Sequence, residues 1–350
     1  MALEWITFHV TDRCQLDCEH CLRDPARKPT DLPVELISRV LREAKQLYQS
    51  EHTAFTGGEP TLHPDFLKLV DAAVEEGYTW HMVTNGRRFA ALATELGPRR
   101  LGALTAVNLS LDGATEEVHD GIRGKGSYCT VMAAASACTA MGIKFVLNCT
   151  LHARNTHEIE AMGMLASQLG AAGLSFVMMQ PTGTHHDAGF YLSSQAWRRV
   201  MDRIHRLRAA LTLPVTMPEG FHREQPFHVC TPFTQQQIHI DVHGRLNLCC
   251  QHSGIPSDGE PRDIVADLNH VGLPEAHEGL VGLIHRVQRD KLAAIRRGGL
   301  TEWDHFPCNH CMKSFGKPHW TDDGVGGAVA KRERWGGASE RKNHSLPLLR

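Results

Sequence analysis

The stretch Cys14-Gln15-Leu16-Asp17-Cys18-Glu19-His20-Cys21 decides the reading of this chain. It sets three cysteines at a C-x3-C-x2-C spacing directly after Ile6-Thr7-Phe8-His9-Val10, a run that reads as a short β-strand. One loop of that spacing can wrap three thiolates around a single iron–sulfur cube. Four thiolates saturate a [4Fe–4S] cluster. Three leave one iron without a protein ligand and open to chemistry. The alternatives are a zinc loop or three unrelated core thiols. Zinc sites pair their cysteines as C-x2-C twice, which a bare triplet fits poorly.

A second motif, Thr56-Gly57-Gly58-Glu59-Pro60, follows the apolar run Thr53-Ala54-Phe55 and precedes a helical pattern. Two glycines let backbone come close to a ligand. A carboxylate and exposed carbonyls beside them suit an ammonium group. Alone, the stretch could be an ordinary turn. Together the two motifs resemble the radical S-adenosylmethionine (SAM) superfamily. Its signature is C-x3-C-x-aromatic-C, with His20 here at the aromatic position, and it carries Gly-Gly-Glu-Pro after its second strand.

The bulk composition is compatible with that resemblance. The chain has 350 residues, 42% of them hydrophobic, enough for one large domain and a smaller one. A net charge of −2 gives no sign of nucleic acid or an anionic membrane as partner. No segment has the length and apolarity of a membrane span, and the N-terminus lacks a signal peptide. Eleven cysteines without a secretory signal argue for metal or redox use in a reducing cytoplasm rather than for disulfides.

The first 210 residues alternate strand and helix. A helix near 33–49 shows Leu36, Ile37, Val40, Leu41, Ala44, Leu47 and Tyr48 on one stripe, and the next shows Phe66, Leu67, Val70 and Val74 inward and stops at Gly77. Strands follow at 78–83, 107–112, 143–151 and 174–180. In Val107-Asn108-Leu109-Ser110-Leu111-Asp112 the polar residues alternate with apolar ones and share a face. A polar face within a buried parallel sheet calls for a ligand or an internal polar network. Asn155 and Glu158 read as a capping box. Six such units predict an α/β fold with right-handed crossovers: a partial (βα)6 TIM-like barrel over 1–210, with its site at the strand C-terminal ends. After a proline-broken linker at 211–225, a smaller cysteine-rich domain spans 226–320. It carries Cys230, a hairpin over 238–250, an amphipathic helix and Cys308-Asn309-His310-Cys311. Residues 321–350 read as a flexible tail.

The resemblance covers about residues 5–315 and carries further implications. Cys14, Cys18 and Cys21 would hold the SAM-binding [4Fe–4S] cluster. Gly57, Gly58 and Glu59 would hold the methionine end of SAM, the His20 backbone and the strand-six edge its adenine, and Ser110 and Asp112 its ribose. The turn Ile122 to Tyr128 is similar to the Arg-Gly turn of members with cysteine-rich extensions. Cys230, Cys249 at the Gly244-x4-Cys position, Cys308 and Cys311 resemble the twitch half of a SPASM domain, which holds an auxiliary [4Fe–4S] cluster. Four-cysteine zinc is the alternative there. Cys250 would point away from the set, Cys129 and Cys138 would pack, and Cys149 is a candidate hydrogen donor. His185, His186 and Asp187 follow strand six and are candidate substrate contacts.

In the implied reaction, one electron from a flavodoxin- or ferredoxin-type reductant cleaves SAM. The resulting 5′-deoxyadenosyl radical takes hydrogen from the substrate. With only 13 residues before Cys14 there is no room for a leader-binding domain. The expected substrate is therefore a small natural product, a sugar, aminocyclitol or nucleoside, oxidised with help from the auxiliary cluster. The alternatives are a peptide maturase working with a separate recognition protein, a radical epimerase, and a non-catalytic iron–sulfur or zinc protein.

Overall fold

Strand and helix alternate as expected in the computed structural model, which describes residues 3–22, 29–181, 189–227, 229–253, 255, 257 and 261–327. Six parallel strands form the centre: β1 (Trp5–Thr11), β2 (His52–Gly57), β3 (Thr79–Thr84), β4 (Leu104–Ser110), β5 (Phe145–Leu151) and β6 (Gly173–Met178), each paired with the next. The connecting helices are α1 (Val34–Tyr48), α2 (Phe66–Glu75), α3 (Phe89–Glu95), α4 (Gly97–Ala103), α5 (Glu116–Arg123), α6 (Ser127–Ala140) and α7 (Ile159–Gln168), with α8 (Ser194–Ala210) after β6. The short α3, α4 and α5 carry no long apolar stripe and are not apparent in the sequence pattern.

The sheet runs past the six strands on both sides. β7 (Val215–Thr216) pairs parallel with β6, inside the stretch read as a linker. β8 (Gln237–Ile240) pairs parallel with β1, then β9 (Arg245–Asn247) and β10 (Ile264–Asp267) follow antiparallel. The expected hairpin is therefore part of the barrel sheet and not a separate layer. The reason is elementary: the β1 edge would otherwise leave a row of backbone donors and acceptors unpaired. Gly244, with φ +79°, makes the β8–β9 turn, where a Cβ would meet Asn269 Nδ2 and Leu36 Cδ2, both at 2.7 Å. Beyond lie α9 (Leu273–Arg296), α10 (Pro307–Ser314) and the hairpin of β11 (His319–Thr321) and β12 (Gly324–Gly326), which takes up the start of the expected tail.

One apolar layer binds sheet to helices. Leu36, Ile37, Val40, Leu41 and Ala44 of α1 are buried as the stripe requires, whereas Leu47 is 52% exposed at the helix end. In α2, Phe66, Leu69 and Val70 are buried, and Leu67 and Val74 pack at its margin. Alternation along the strands sends Ile6, Phe8 and Val10 of β1, Val107 and Leu109 of β4, and Leu147 and Cys149 of β5 into this layer. The intervening residues face the opposite side, the barrel lumen.

Candidate active site

The lumen wall is assembled from alternate strand positions, many of them polar. Thr7 lies opposite His239 on one side and Ala54 on the other, and Ala54 lies opposite His81, so one row crosses four strands. His9, Thr56, Val83, Ser110, Asn148, Thr150 and Gln237 complete the wall of a cavity of about 470 Å³. Cys14, Cys18, Cys21, His20, Gly57 and Gly58 line the same cavity at the strand C-terminal ends. The two motifs recognised in the sequence therefore meet around one space.

The cysteine loop is fastened from three sides. Gly58 N and Glu59 N donate to Thr11 O and Arg13 O, each at 2.7 Å. A Cβ on Gly57 would sit 2.5 Å from Thr11 O, and one on Gly58 2.3 Å from Arg13 O. The paired glycines thus admit the chain's own cysteine loop, where the sequence suggested a ligand. Glu19 N donates to Ile122 O, and Glu19 takes a 2.5 Å ion pair from Arg154. Asn85 Nδ2 lies 3.8 Å from Cys14 Sγ and is a contact that sequence reasoning missed.

Two expected cofactor contacts have different places. The Glu59 carboxylate is fully buried and outside the cavity wall. It accepts from Thr61 Oγ1 at 2.7 Å, Thr84 Oγ1 at 2.8 Å and Asn85 N at 2.8 Å. Burial raises its pKa, and these donors work against that rise. Glu59 therefore braces the loop with its carboxylate, which has no free face for an ammonium. Asp112 is also fully buried, behind the wall. It binds His20 Nε2 at 2.6 Å, Arg123 Nε at 2.5 Å and Thr150 N at 2.8 Å. Burial would raise its pKa; the Arg123 and His20 charges outweigh it and hold the carboxyl well below its usual range. Ser110 keeps its expected place on the wall, and Arg123 joins it there.

The loops above β4 and β5 are joined by the residues read as a capping box. Asn155 caps nothing: its Nδ2 donates to Asp112 O and Thr150 O, and its Oδ1 accepts from His152 N. Glu158 accepts from Ala114 N at 2.7 Å and Thr115 Oγ1 at 2.6 Å. The loop after β4 has backbone groups to satisfy: Asn155 donates to its Asp112 carbonyl, and Glu158 accepts from its Ala114 N–H. Cys149 is 1% exposed and faces the helices, away from the lumen, so it is not placed as a hydrogen donor. Cys138 is buried as a packing thiol should be, whereas Cys129 is exposed. His185, His186 and Asp187 lie outside the described residues.

The second cysteine set gathers beside the first cavity. Burial pushes Cys230 up to about 12 and Cys311 up to about 11, with Lys291 opposing the rise at Cys311. Cys308 is raised by burial and then by the charges of Cys311, Cys230 and Cys250, and Cys249 is raised by its hydrogen bond with Cys250 and, further down, by Cys308, so Cys250, expected to point away, stands in the same group. Gly220, with φ +125°, leaves room against Cys308, since a Cβ there would stand 3.2 Å from its Sγ. Lys291, buried on α9, lies near enough for Cys311 and Cys230 to act on it.

Both sets fit iron–sulfur clusters. Burial also pushes Cys18 up to about 12, so a metal must draw off the proton that the apolar surroundings retain. Arg123 acts in the same direction as the metal. Among the described residues no three Cys, His, Asp or Glu side chains meet at a single-ion site. A cube receives its thiolates at separate corners and tolerates that spread. In the first set Cys14, Cys18 and Cys21 could hold a cluster with one open iron; in the second, Cys230, Cys249, Cys308 and Cys311 could close the coordination of another.

This architecture and paired cysteine sets define an iron–sulfur enzyme with an auxiliary-cluster extension of the twitch/SPASM type. The model of the radical SAM superfamily matches residues 8–166, and the chain belongs to that superfamily. A PqqA peptide cyclase of Ruegeria pomeroyi is 33% identical over 261 residues, 71% of this chain and 67% of the relative. The mycofactocin maturase MftC of Mycobacterium tuberculosis is 33% identical over 185 residues, 52% of this chain and 46% of the maturase. The chain thus spans about half the length of that maturase. Streptococcus suis SuiB bound to its precursor peptide SuiA superposes with a TM-score of 0.63 at 15% identity, covering 81% of this chain and 66% of SuiB, a likeness of fold. The cofactors are SAM, its [4Fe–4S] cluster and an auxiliary [4Fe–4S] cluster. Among the described residues no helix is long and apolar enough to cross a membrane.

Proposed function

We propose that this enzyme modifies a peptide by radical chemistry. Cys14, Cys18 and Cys21 hold the SAM-binding cluster, and Cys230, Cys249, Cys308 and Cys311 the auxiliary one. When bound, SAM and its cluster supply a radical able to abstract hydrogen from carbon. The chain's own part is placement. Gly57 and Gly58 seat the cysteine loop, Asp112 fixes His20 and Arg123 beside it, and the lumen wall receives the substrate. The observation that carries the peptide reading is the 33% identity to a PqqA peptide cyclase across 71% of this chain. It favours the peptide alternative over the sequence expectation of a sugar, aminocyclitol or nucleoside. The lumen chemistry is compatible with peptide amides. His239 and Gln180 present buried neutral groups to the cavity with no protein partner for both His239 nitrogens and for Gln180 Oε1.

The test is anaerobic incubation of the reconstituted enzyme with SAM, a flavodoxin-type reductant and short peptides encoded beside its gene. A mass change confined to one peptide, together with release of 5′-deoxyadenosine, is expected. Turnover of an aminocyclitol, sugar or nucleoside with all such peptides untouched would overturn the proposal.

A further inference from the structure

One buried carboxylate on the cavity wall has no counter-charge. β1 and β2 shift register between His9 and Thr11, an irregularity of the kind that re-aims a side chain, and Asp12 just beyond it lines the cavity. Asp12 is 6% exposed, and its Oδ2 has no hydrogen-bond partner. Its Oδ1 lies 3.3 Å from His9 Nε2, outside hydrogen-bond alignment, so that nitrogen is unpartnered too. The His9 ring is held against Gly57, where a Cβ would meet its Cδ2 at 2.6 Å. His239 lies opposite Thr7 on the neighbouring strand, one lumen position below His9, and both of its ring nitrogens lack a partner. The unpartnered acceptors thus run from Asp12 down into the lumen.

Charge decides what fits there. Among the described residues that line the cavity, Asp12 is the one carboxylate, and no lysine lines it. The guanidinium on the wall, Arg123, is taken by Asp112. A buried charge is costly unless it is paired, and Asp112 is paired where Asp12 is not. Burial holds His239 at about 3, and His9 acts in the same direction, so the His239 ring is neutral and offers an acceptor without repelling a cation.

We propose that Asp12, with His9 and His239, forms a subsite for an ammonium or guanidinium group of the substrate. The inference deepens the peptide reading and rests on it for the form of that group, a lysine or arginine side chain of the peptide. The carboxylate supplies the counter-charge, and the ring nitrogens accept the remaining N–H donors. A side chain held there fixes the register of the peptide against the cysteine loop, where the radical forms. SAM carries an ammonium of its own, and the experiment separates the two sources.

Cluster-loaded, SAM-saturated enzyme is titrated anaerobically in a calorimeter with acetyl-Gly-Lys-Gly-amide, acetyl-Gly-Arg-Gly-amide and, as the uncharged match, acetyl-Gly-Met-Gly-amide. The wild type should bind the two cationic peptides about tenfold tighter than the uncharged one. Asp12→Asn should erase that preference. It should keep its iron load, its SAM affinity and a melting temperature no lower than the wild type's, because it removes a buried charge that the folded chain leaves unpaired. His239→Leu, remote in sequence from the cysteines, should weaken the cationic peptides and leave the iron load unchanged. Agmatine, a small dication, tests the subsite apart from the peptide: agmatine bound through Asp12 while no peptide binds would keep the cation subsite and remove the peptide reading. No preference for any cation in the wild type, a preference undiminished in both variants, or SAM affinity lost in Asp12→Asn without peptide would each overturn the proposal. The last outcome would give the carboxylate to the cofactor.

Discussion

His20 Nε2 and Asp112 Oδ2 lie 2.6 Å apart across 92 residues of sequence, and this contact ties the cysteine loop to the end of β4. Because the carboxyl is held well below its usual range, Asp112 is the acceptor and His20 the donor. The same carboxylate takes Arg123 and the backbone of Thr150, so it joins three loops above the sheet.

Removing that carboxylate leaves a buried guanidinium and an imidazole without their partner. Breaking one side of a buried pair costs roughly 3–5 kcal/mol. Asp112→Ala should lose stability on that scale, with Asp112→Asn intermediate because it restores one acceptor. Urea denaturation followed by circular dichroism measures this. An unchanged midpoint in Asp112→Ala would remove Asp112 from its place as the anchor.

Glu59 separates two roles that the sequence motif confounds. If its carboxylate braces the loop, Glu59→Gln sets an NH2 group against the fixed Asn85 N–H and costs about 1–3 kcal/mol. SAM affinity of the protein that remains folded should then change little. Equilibrium binding of SAM beside a thermal melt distinguishes the cases. Lost affinity at full stability would return Glu59 to the cofactor.

Gly58→Ala should free the cysteine loop, since its Cβ would stand 2.3 Å from Arg13 O and one of the two must shift. With two clusters, reconstituted protein should carry about eight irons and eight sulfides per chain. The variant should lose the share held by Cys14, Cys18 and Cys21 and keep the auxiliary share, as should the triple alanine variant of those cysteines. Zinc in place of the remaining iron in that triple variant would overturn the auxiliary assignment.

Stability should fall in mild acid. Burial holds His239 and His152 at about 3, and His81, His119 and His252 at about 4, against an ordinary 6.5. Below pH 6.5 the unfolded chain takes up protons that the folded one refuses. Acid therefore favours the unfolded state, and the loss grows until the folded values are reached. Each such histidine contributes on the order of 1 kcal/mol per pH unit in that window. His119 Nδ1 accepts from Asp112 N at 3.0 Å, so protonation there also breaks a bond. Denaturation midpoints at pH 7 and pH 5, at equal iron content, check this, and equal midpoints would contradict it.

The sequence alone determined the six-strand alternation, the triplet Cys14, Cys18 and Cys21, the Gly57-Gly58 loop and the second set of cysteines. Each is local, a matter of period or spacing that a chain carries whatever its partners. Tertiary structure decided what local pattern leaves open. Period two states that Ser110 and Asp112 share a face and that Cys149 alternates with Asn148, but not which face becomes lumen. Pairing with β4 and β6 placed Asn148 inward and Cys149 against the helices. Gly57 and Gly58 announce a close approach without naming the neighbour, which is Thr11 to Arg13. Glu59 and Asp112 are carboxylates in sequence; which donors surround them depends on contacts with residues 25 and 92 positions away. The hairpin pattern did not reveal that β8 would complete the β1 edge and carry His239, and the turn bearing Cys250, to the active cavity. An unpaired edge exists only once the sheet has formed, so nothing local in residues 237–250 records it.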